Sequence, residues 1–319
     1  MNILAADIGG TNSRFAFFKV AADGTIGLEE SIWLKTLEAG SFADLLGQLE
    51  ASDFALSLKA AESAVFAVAG PVEKGVYSKP PHIPWDINLS DAAREYGLKR
   101  CVLINDFVAQ AFACRSPVIE SAQQIIPGKI DSASPLVVIG AGTGLGQALL
   151  IPLLPGGYIA LASEGGHASF PFESQAELEY MKFLLHETGE SYVRSDTVVS
   201  GKGLSRVHRF LTGQKLQPAE VAAVLNENQR SLRWMARFYG RVCRNFALQI
   251  LAFGGVYIAG GVAAKIPNLV THPEFKREFR RSKTMSHVLE KIPLMLNSNQ
   301  ESGLWGAAVQ GLELLKENT

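Results

Sequence analysis

The sequence predicts an α/β protein built from two similar domains with a cleft between them. Three observations carry this. First, two glycine-rich segments, residues 2–20 (NILAADIGGTNSRFAFFKV) and 135–152 (PLVVIGAGTGLGQALLIP), each read as apolar strand, tight Gly/Thr turn, apolar strand. Second, each hairpin is followed by a short apolar run ending in Ala-Gly, AVFAVA before Gly70 and VYIA before Gly260, so the order of elements repeats. Third, a chain of 319 residues that is 47% hydrophobic holds more apolar material than one average core needs.

Each element has a local reason. Residues 2–20 form a strand pair. Residues 42–58 carry apolar side chains at helical spacing. The run 64–69 suits a strand buried on both faces. Residues 90–97 read as a short helix capped by Ser90 and ended by Gly97. A buried strand (RCVLI, 100–104) follows and ends at Asn105-Asp106, and a helix over 107–114 precedes Pro117. In the second half, Ser174 and Glu177 fit a capping box for a helix running to Gly189. Residues 230–253 have the length and periodicity of a long helix, and 303–316 form a last helix that packs back on the first domain. The charge-free stretch 246–264 has the look of a membrane span, but four glycines and Gln249 interrupt it. It reads as a helix end, a turn and the strand VYIA.

Bulk properties exclude several classes. Thirty Lys and Arg stand against 31 Asp and Glu, a net charge of -1, and no dense basic run appears, so nucleic acid is not the expected partner. Three widely spaced cysteines, Cys101, Cys114 and Cys243, without a CxxC, fit neither a zinc site nor a disulfide framework; they suit a reduced, cytoplasmic protein. The N-terminus lacks the basic flank of a signal peptide, and neither a leader nor a membrane association is expected. A homodimer interface and core packing explain the long 230–253 helix equally well.

The turns narrow the chemistry. Neither hairpin leads into a helix, which rules out a Walker loop and a dinucleotide fingerprint. A glycine turn between two strands can still bind phosphate, because its N–H groups converge and glycine permits close approach. Two such turns suit a polyphosphate gripped from both sides. Asp7, just before the first turn, either holds Mg²⁺ through water or is an ordinary turn residue. Asp106, at the carboxyl end of an apolar strand, either takes a proton from a substrate hydroxyl or caps the next helix. Glu164-Gly165-Gly166-His167 pairs a carboxylate with an imidazole, a combination that grips adjacent sugar hydroxyls; a hydrogen-bonded surface histidine is the alternative. The loop over 80–85, rich in proline and ending in Trp85, is of the kind that contacts substrate.

Taken in order, ADIGGTNSRFAF, VAGPV, the Pro84-Trp85 loop, LINDFVAQAFA, GAGTGLGQA, EGGHASF, VVSGKGL, GVYIAGGVAAK and the SGLWGAA tail resemble the bacterial glucokinase family, in the sugar-kinase branch of the actin-like ATPase superfamily. The zinc-binding cysteine cluster and the DNA-binding segment of the related repressor–kinase branch are absent. The resemblance implies an α/β fold of two actin-like (ribonuclease H-like) domains with an interdomain cleft: residues 1–115 plus 304–319 as the smaller, 116–303 as the larger. It implies ATP and Mg²⁺ as cosubstrate and cofactor, and phosphorylation of glucose at C6 as the first step of glycolysis. Ala6, Asp7, Ile8, Gly9, Gly10 and Thr11 would form the first phosphate-binding turn, Gly142, Thr143 and Gly144 the second, and Gly260-Gly261 the nucleotide-side turn, with Asp7 on Mg²⁺. Asp106 would be the general base, and Asn105, Glu164, His167 and Asp196 the sugar ligands. Domain closure on the sugar would exclude water.

Two positions depart from the family pattern. The family usually places Glu where Asp196 stands, four residues before Ser200; the shorter side chain falls short by about 1.5 Å. Pro81-His82 replaces a frequent Thr-Asn pair. Both departures bear on which sugar is preferred, leaving fructose, mannose or an N-acetylated hexose as alternatives to glucose. A non-catalytic sugar sensor or ATPase scaffold is the rival outside the enzyme class.

Overall fold

A computed structural model of the chain describes residues 1–153, 156–225 and 229–316. Residues 317–319 of the predicted first domain lie outside the described residues. The chain forms two compact units, one of residues 1–121 with 299–319, the other of residues 122–298.

The first unit opens with β1 (Asn2–Ile8) and β2 (Asn12–Val20), an antiparallel hairpin in which Asp7 faces Arg14 and Ile8 faces Ser13. Edge strand β3 (Ile26–Lys35) alternates half-buried and exposed residues, as a strand with one solvated face should. Helix α1 (Phe42–Glu50) starts at Ser41, whose hydroxyl accepts the Asp44 N–H, and buries Phe42, Leu45, Leu46 and Leu49. It ends eight residues before the predicted limit. Ser52 takes the Leu49 carbonyl at 2.6 Å, a local bond that competes with helix propagation, and the Glu50 carboxylate receives the Leu58 N–H. Strand β4 (Ser63–Val68) is buried throughout. A small ribbon of β5 (Tyr77–Ser78) and β6 (Ile87–Asn88) precedes α2 (Ala92–Glu95). Ser90 does not cap this helix: its N–H bonds Asn88 Oδ1 in a turn, and Asp91 occupies the cap position. Gly97 ends it at φ +74, as expected of a C-terminal glycine. Then come β7 (Cys101–Asn105) and α3 (Asp106–Ala113).

In the sheet the strand order is β3-β2-β1-β4-β7, with β1, β4 and β7 parallel. Leu4, Ala6 and Ile8 point to the α1 side, where Phe42, Phe66 and Trp85 fill the core.

In the second unit β8 (Gln123–Ile126), β9 (Leu136–Ala141), β10 (Leu145–Pro152) and β11 (Tyr158–Ser163) come first. Helix α4 (Gln175–Thr188) uses half of the predicted capping box: Ser174 Oγ accepts the Glu177 N–H, but Glu177 reaches back to the N–H of Glu173. The reason is that the Glu177 carboxylate is also bound by Arg241 at 2.7 Å. Helices α5 (Ser195–Val198), α6 (Gly201–Thr212), α7 (Pro218–Val224) and α8 (Gln229–Ile250) follow. The rest is β12 (Val256–Ala259), α9 (Gly261–Lys265), α10 (Asn268–Thr271), α11 (Pro273–Arg280), α12 (Ser286–Leu289) and β13 (Leu294–Leu296). The sheet runs β11-β10-β9-β12-β13-β8, with β9, β12 and β13 parallel. Each unit thus places an antiparallel three-strand meander beside two strands parallel to its first strand. The repeat read from the sequence is a repeat of topology.

Helix α8 organises the second core through Phe238 and Trp234, which meet Tyr180, Phe170 and Phe210 at ring distances of 5.1–5.9 Å. The same face carries Arg241, only 1% exposed, between Glu177 at 2.7 Å and Glu278 at 2.9 Å. No helix among the described residues is long and apolar enough to cross a membrane.

Helix α13 (Ser302–Lys316) returns to the first unit, on the sheet face opposite α1. Small residues let it approach closely: a Cβ on Gly306 would meet the Ala109 carbonyl of α3, and one on Gly311 would meet Ile3. Trp305 packs edge-on against Phe18 with ring centres 5.0 Å apart.

Candidate active site

Within the first unit the register Ile8–Val68–Asn105 brings the carboxyl ends of β1, β4 and β7 to one sheet edge. That edge is where open α/β sheets bind ligands. It carries the Gly9-Gly10-Thr11 turn, Gly70 and Asn105-Asp106. Ala6 and Ile8 are buried with their side chains in the core, so only their backbone is available to a ligand. Gly9 donates its N–H to Asn12 O at 3.1 Å, and a Cβ on Gly10 would stand 2.8 Å from His82 Cβ. His82 therefore packs on the first turn. The loop that holds it is anchored by Trp85, whose Nε1 donates to Ala39 O at 2.9 Å.

Asp7 lies beside that turn. Burial pushes its carboxyl above the usual carboxylate range, and the facing Arg14 guanidinium pulls the other way. Arg14 in turn donates to Gln300 O at 2.5 Å and lies 4.4 Å from the Trp33 ring. Gly303, at the start of α13, keeps the space next to Asp7 free: a Cβ there would stand 3.2 Å from Asp7 Oδ2.

The β7–α3 junction resolves the capping question. The N-cap is Asn105, whose Oδ1 accepts from Phe107 N at 2.9 Å and Val108 N at 3.3 Å, while its Nδ2 donates to Gly70 O at 3.1 Å. Asp106 is the first residue of the helix, and its Oδ1 accepts from Phe107 N at 3.0 Å. The cap role is filled by its neighbour. Once its three protein partners are counted, Asn105 has one amide hydrogen left for a ligand.

In the second unit, the Gly142-Thr143-Gly144 turn closes through a Gly142 N to Gly144 O bond of 2.8 Å. Gly201, at the start of α6, donates to Gly142 O at 2.9 Å, so the SGKG segment buttresses the turn. Gly203 permits this, because a Cβ there would lie 2.1 Å from Val198 O. Gly260 has φ +86, and a Cβ would stand 2.7 Å from Ala141 O, so the second glycine turn abuts the end of β9. Gly142 and Gly261, by contrast, have nothing within 4 Å of a built Cβ. The space beside them is open, which lets a ligand approach the turn closely, although the Gly142 N–H is itself taken by Gly144 O. Tyr239 steadies the end of β9 through its hydroxyl, which accepts the Ala141 N–H at 3.1 Å.

Glu164 and His167 stand on a single 3₁₀ turn, with His167 Nε2 3.6 Å from Glu164 Oε2. The two glycines between them are closely packed: a Cβ on Gly165 would displace the Gln147 side-chain amide, and one on Gly166 would strike the Leu145 backbone carbonyl. Asp196, on α5, joins this cluster through a residue the motif reading did not pick out. Arg194 Nη1 lies 2.9 Å from His167 Nδ1 and 3.5 Å from Asp196 Oδ2, and the far side of its guanidinium forks onto Glu190. A basic residue two positions before Asp196 was the only available signal.

Among the described residues no group of three or more His, Cys, Asp or Glu side chains could hold a metal ion. Asp7 alone suits Mg²⁺, which commonly takes one or two carboxylates and completes its shell with water and phosphate oxygens.

The glucokinase family model matches residues 4–313. A glucokinase from Trichormus variabilis is 30% identical, over 96% of this chain and 98% of the relative; one from Stenotrophomonas maltophilia is 32% identical, over 96% and 93%. The crystal structure of a glucokinase from an Antarctic psychrotroph superposes with a TM-score of 0.86 at 26% identity, covering 98% of this chain and 99% of the other. A ROK family glucokinase from Streptomyces griseus, solved with glucose and AMPPNP, shares the fold at a TM-score of 0.64 and 18% identity, over 98% and 100%. With the family model spanning nearly the whole sequence, the chain belongs to the glucokinase family.

Proposed function

We propose that this chain transfers the γ-phosphoryl group of ATP to the C6 hydroxyl of glucose. The observation that carries the reading is Asp106: a carboxylate at the carboxyl ends of the parallel strands β1, β4 and β7, with the neighbouring cap position already filled by Asn105. Asp106 accepts the hydroxyl proton as O6 forms its bond to the γ-phosphorus and the bond to the β-phosphate oxygen breaks, releasing ADP. Glu164, His167 and Asp196 orient the sugar, and Asn105 adds one amide donor. The open space beside Gly142 and Gly261 and the Gly9-Gly10 turn admit the phosphates. Mg²⁺, when bound near Asp7, neutralises phosphate charge. The protein's own contribution is then positioning and charge stabilisation, the main terms in phosphoryl transfer.

A coupled ADP-release assay over a hexose panel tests this. Strong turnover with glucose and ATP–Mg²⁺ is expected. Asp106→Asn should lose about 10²–10⁴-fold in kcat and keep sugar binding; near-normal turnover in that variant would remove Asp106 from the mechanism. A second reading, preference for another hexose, is favoured by one observation: the Asp196 carboxylate is engaged by Arg194. A higher kcat/KM for mannose, fructose or an N-acetylated sugar would establish it.

A further inference from the structure

We propose that Arg194 is a positioning residue for the sugar-side cluster, fixing His167 as a hydrogen-bond donor toward substrate and holding the Asp196 carboxylate beside it. This rests on the reading of Glu164, His167 and Asp196 as sugar ligands. A guanidinium has N–H donors and no acceptor. The 2.9 Å contact from Arg194 Nη1 therefore makes His167 Nδ1 the acceptor, and a neutral imidazole then carries its proton on Nε2. That nitrogen faces Glu164 Oε2 at 3.6 Å. The turn thus presents one donor and one acceptor side by side, the pattern a sugar hydroxyl satisfies from both sides.

The arrangement is built into the backbone. Ser169 and Arg194 form an antiparallel bridge, and Phe170 N and Ser195 N donate to Val193 O and Ala168 O, each at 2.9 Å. Tyr192 donates its hydroxyl to His167 O at 3.2 Å. The guanidinium cannot swing freely, because Nε and Nη2 reach the two Glu190 oxygens at 3.3 and 2.9 Å. The charged groups around His167 are therefore Glu164 on its own turn, Arg194 and Glu190 on the facing segment, and Asp196 on α5. Two carboxylates, Glu190 and Asp196, share the Arg194 guanidinium, so Arg194 also limits their mutual repulsion. The family pattern usually carries the longer Glu at the Asp196 position; here Arg194 reaches the shorter carboxylate.

The test combines nitrogen NMR of the free protein with steady-state kinetics. The Nδ1 resonance of His167, assigned by its loss in His167→Gln, should move in Arg194→Met as the accepted hydrogen bond disappears. The glucose KM of Arg194→Met should rise about tenfold, the effect of one charge-assisted bond, with kcat within about threefold of wild type. An unchanged ATP KM shows that the variant is folded. Glu190→Gln, which loosens the guanidinium without removing it, should move both readouts in the same direction by less. An Nδ1 signal or a glucose KM indifferent to Arg194→Met overturns the proposal. If His167→Gln also leaves the glucose KM unchanged, the sugar-side reading itself falls; if His167→Gln raises KM and Arg194→Met does not, only the role of Arg194 falls.

Discussion

At the residue scale, the two glycines of the Glu164–His167 turn make unequal demands. A side chain on Gly165 meets the end of the Gln147 amide, which can move; one on Gly166 meets the Leu145 backbone, which cannot. Gly166→Ala should therefore destabilise the fold by about 1–3 kcal/mol and raise the sugar KM, with Gly165→Ala milder on both counts; thermal melts and kinetics of the pair check the order. Asp7 shows a different balance. Its folded-state carboxyl sits above the usual carboxylate range, mainly through burial, with Arg14 opposing. A raised folded pKa means that protonation favours the native state, so stability from this group is lost as pH rises through the folded value. Asp7→Asn should thus melt higher than wild type at pH 7, the gap narrowing as pH falls toward 4, while phosphoryl transfer declines. The carboxylate and glycine motifs of the site were legible in the sequence because they are contiguous. Arg194, Gln147 and Arg14 were not, because each acquires its meaning from contacts across the fold. His82 is similar: only the structure shows it seated on Gly10.

At the element scale, hairpins and buried strands matched the sequence reading closely, since hydrophobic runs and glycine turns are local signals. Helix ends followed side-chain bonds that periodicity does not encode. Helix α1 stops where Ser52 captures the Leu49 carbonyl, and the α4 box is redirected because Glu177 serves a buried arginine. Helix α8 held a further signal: Arg233, Arg237, Arg241 and Arg244 recur at helical spacing, a stripe that could have announced a charged interface with α4 and α11. Arg241 is the centre of it. Arg241→Met leaves Glu177 and Glu278 buried with fewer partners and should cost about 3–5 kcal/mol, read from denaturant midpoints. Lys182→Ala, which removes only an exposed pair with Glu179, should stay within about 0.5 kcal/mol of wild type.

At the scale of the whole molecule, the second unit is one continuous stretch, whereas the first is assembled from both ends of the chain. Helix α13 covers the sheet face formed by Ile3 and Phe18 and wedges its glycines against Ala109 and Ile3. Removing residues 299–319 should expose that face. Limited proteolysis of the truncated chain should digest the first unit early and leave a fragment near 122–298; equal survival of both units would show that α13 is dispensable. The same feature sets an order of assembly during translation. The second unit has all its strands once about residue 298 has left the ribosome, but the first strand of the chain waits for the last helix. At roughly 5–20 residues per second that wait lasts on the order of 15–60 s. Throughout it, the uncovered side of β1 and β2 is a hydrophobic surface that chaperones, or a neighbouring nascent chain, can reach first.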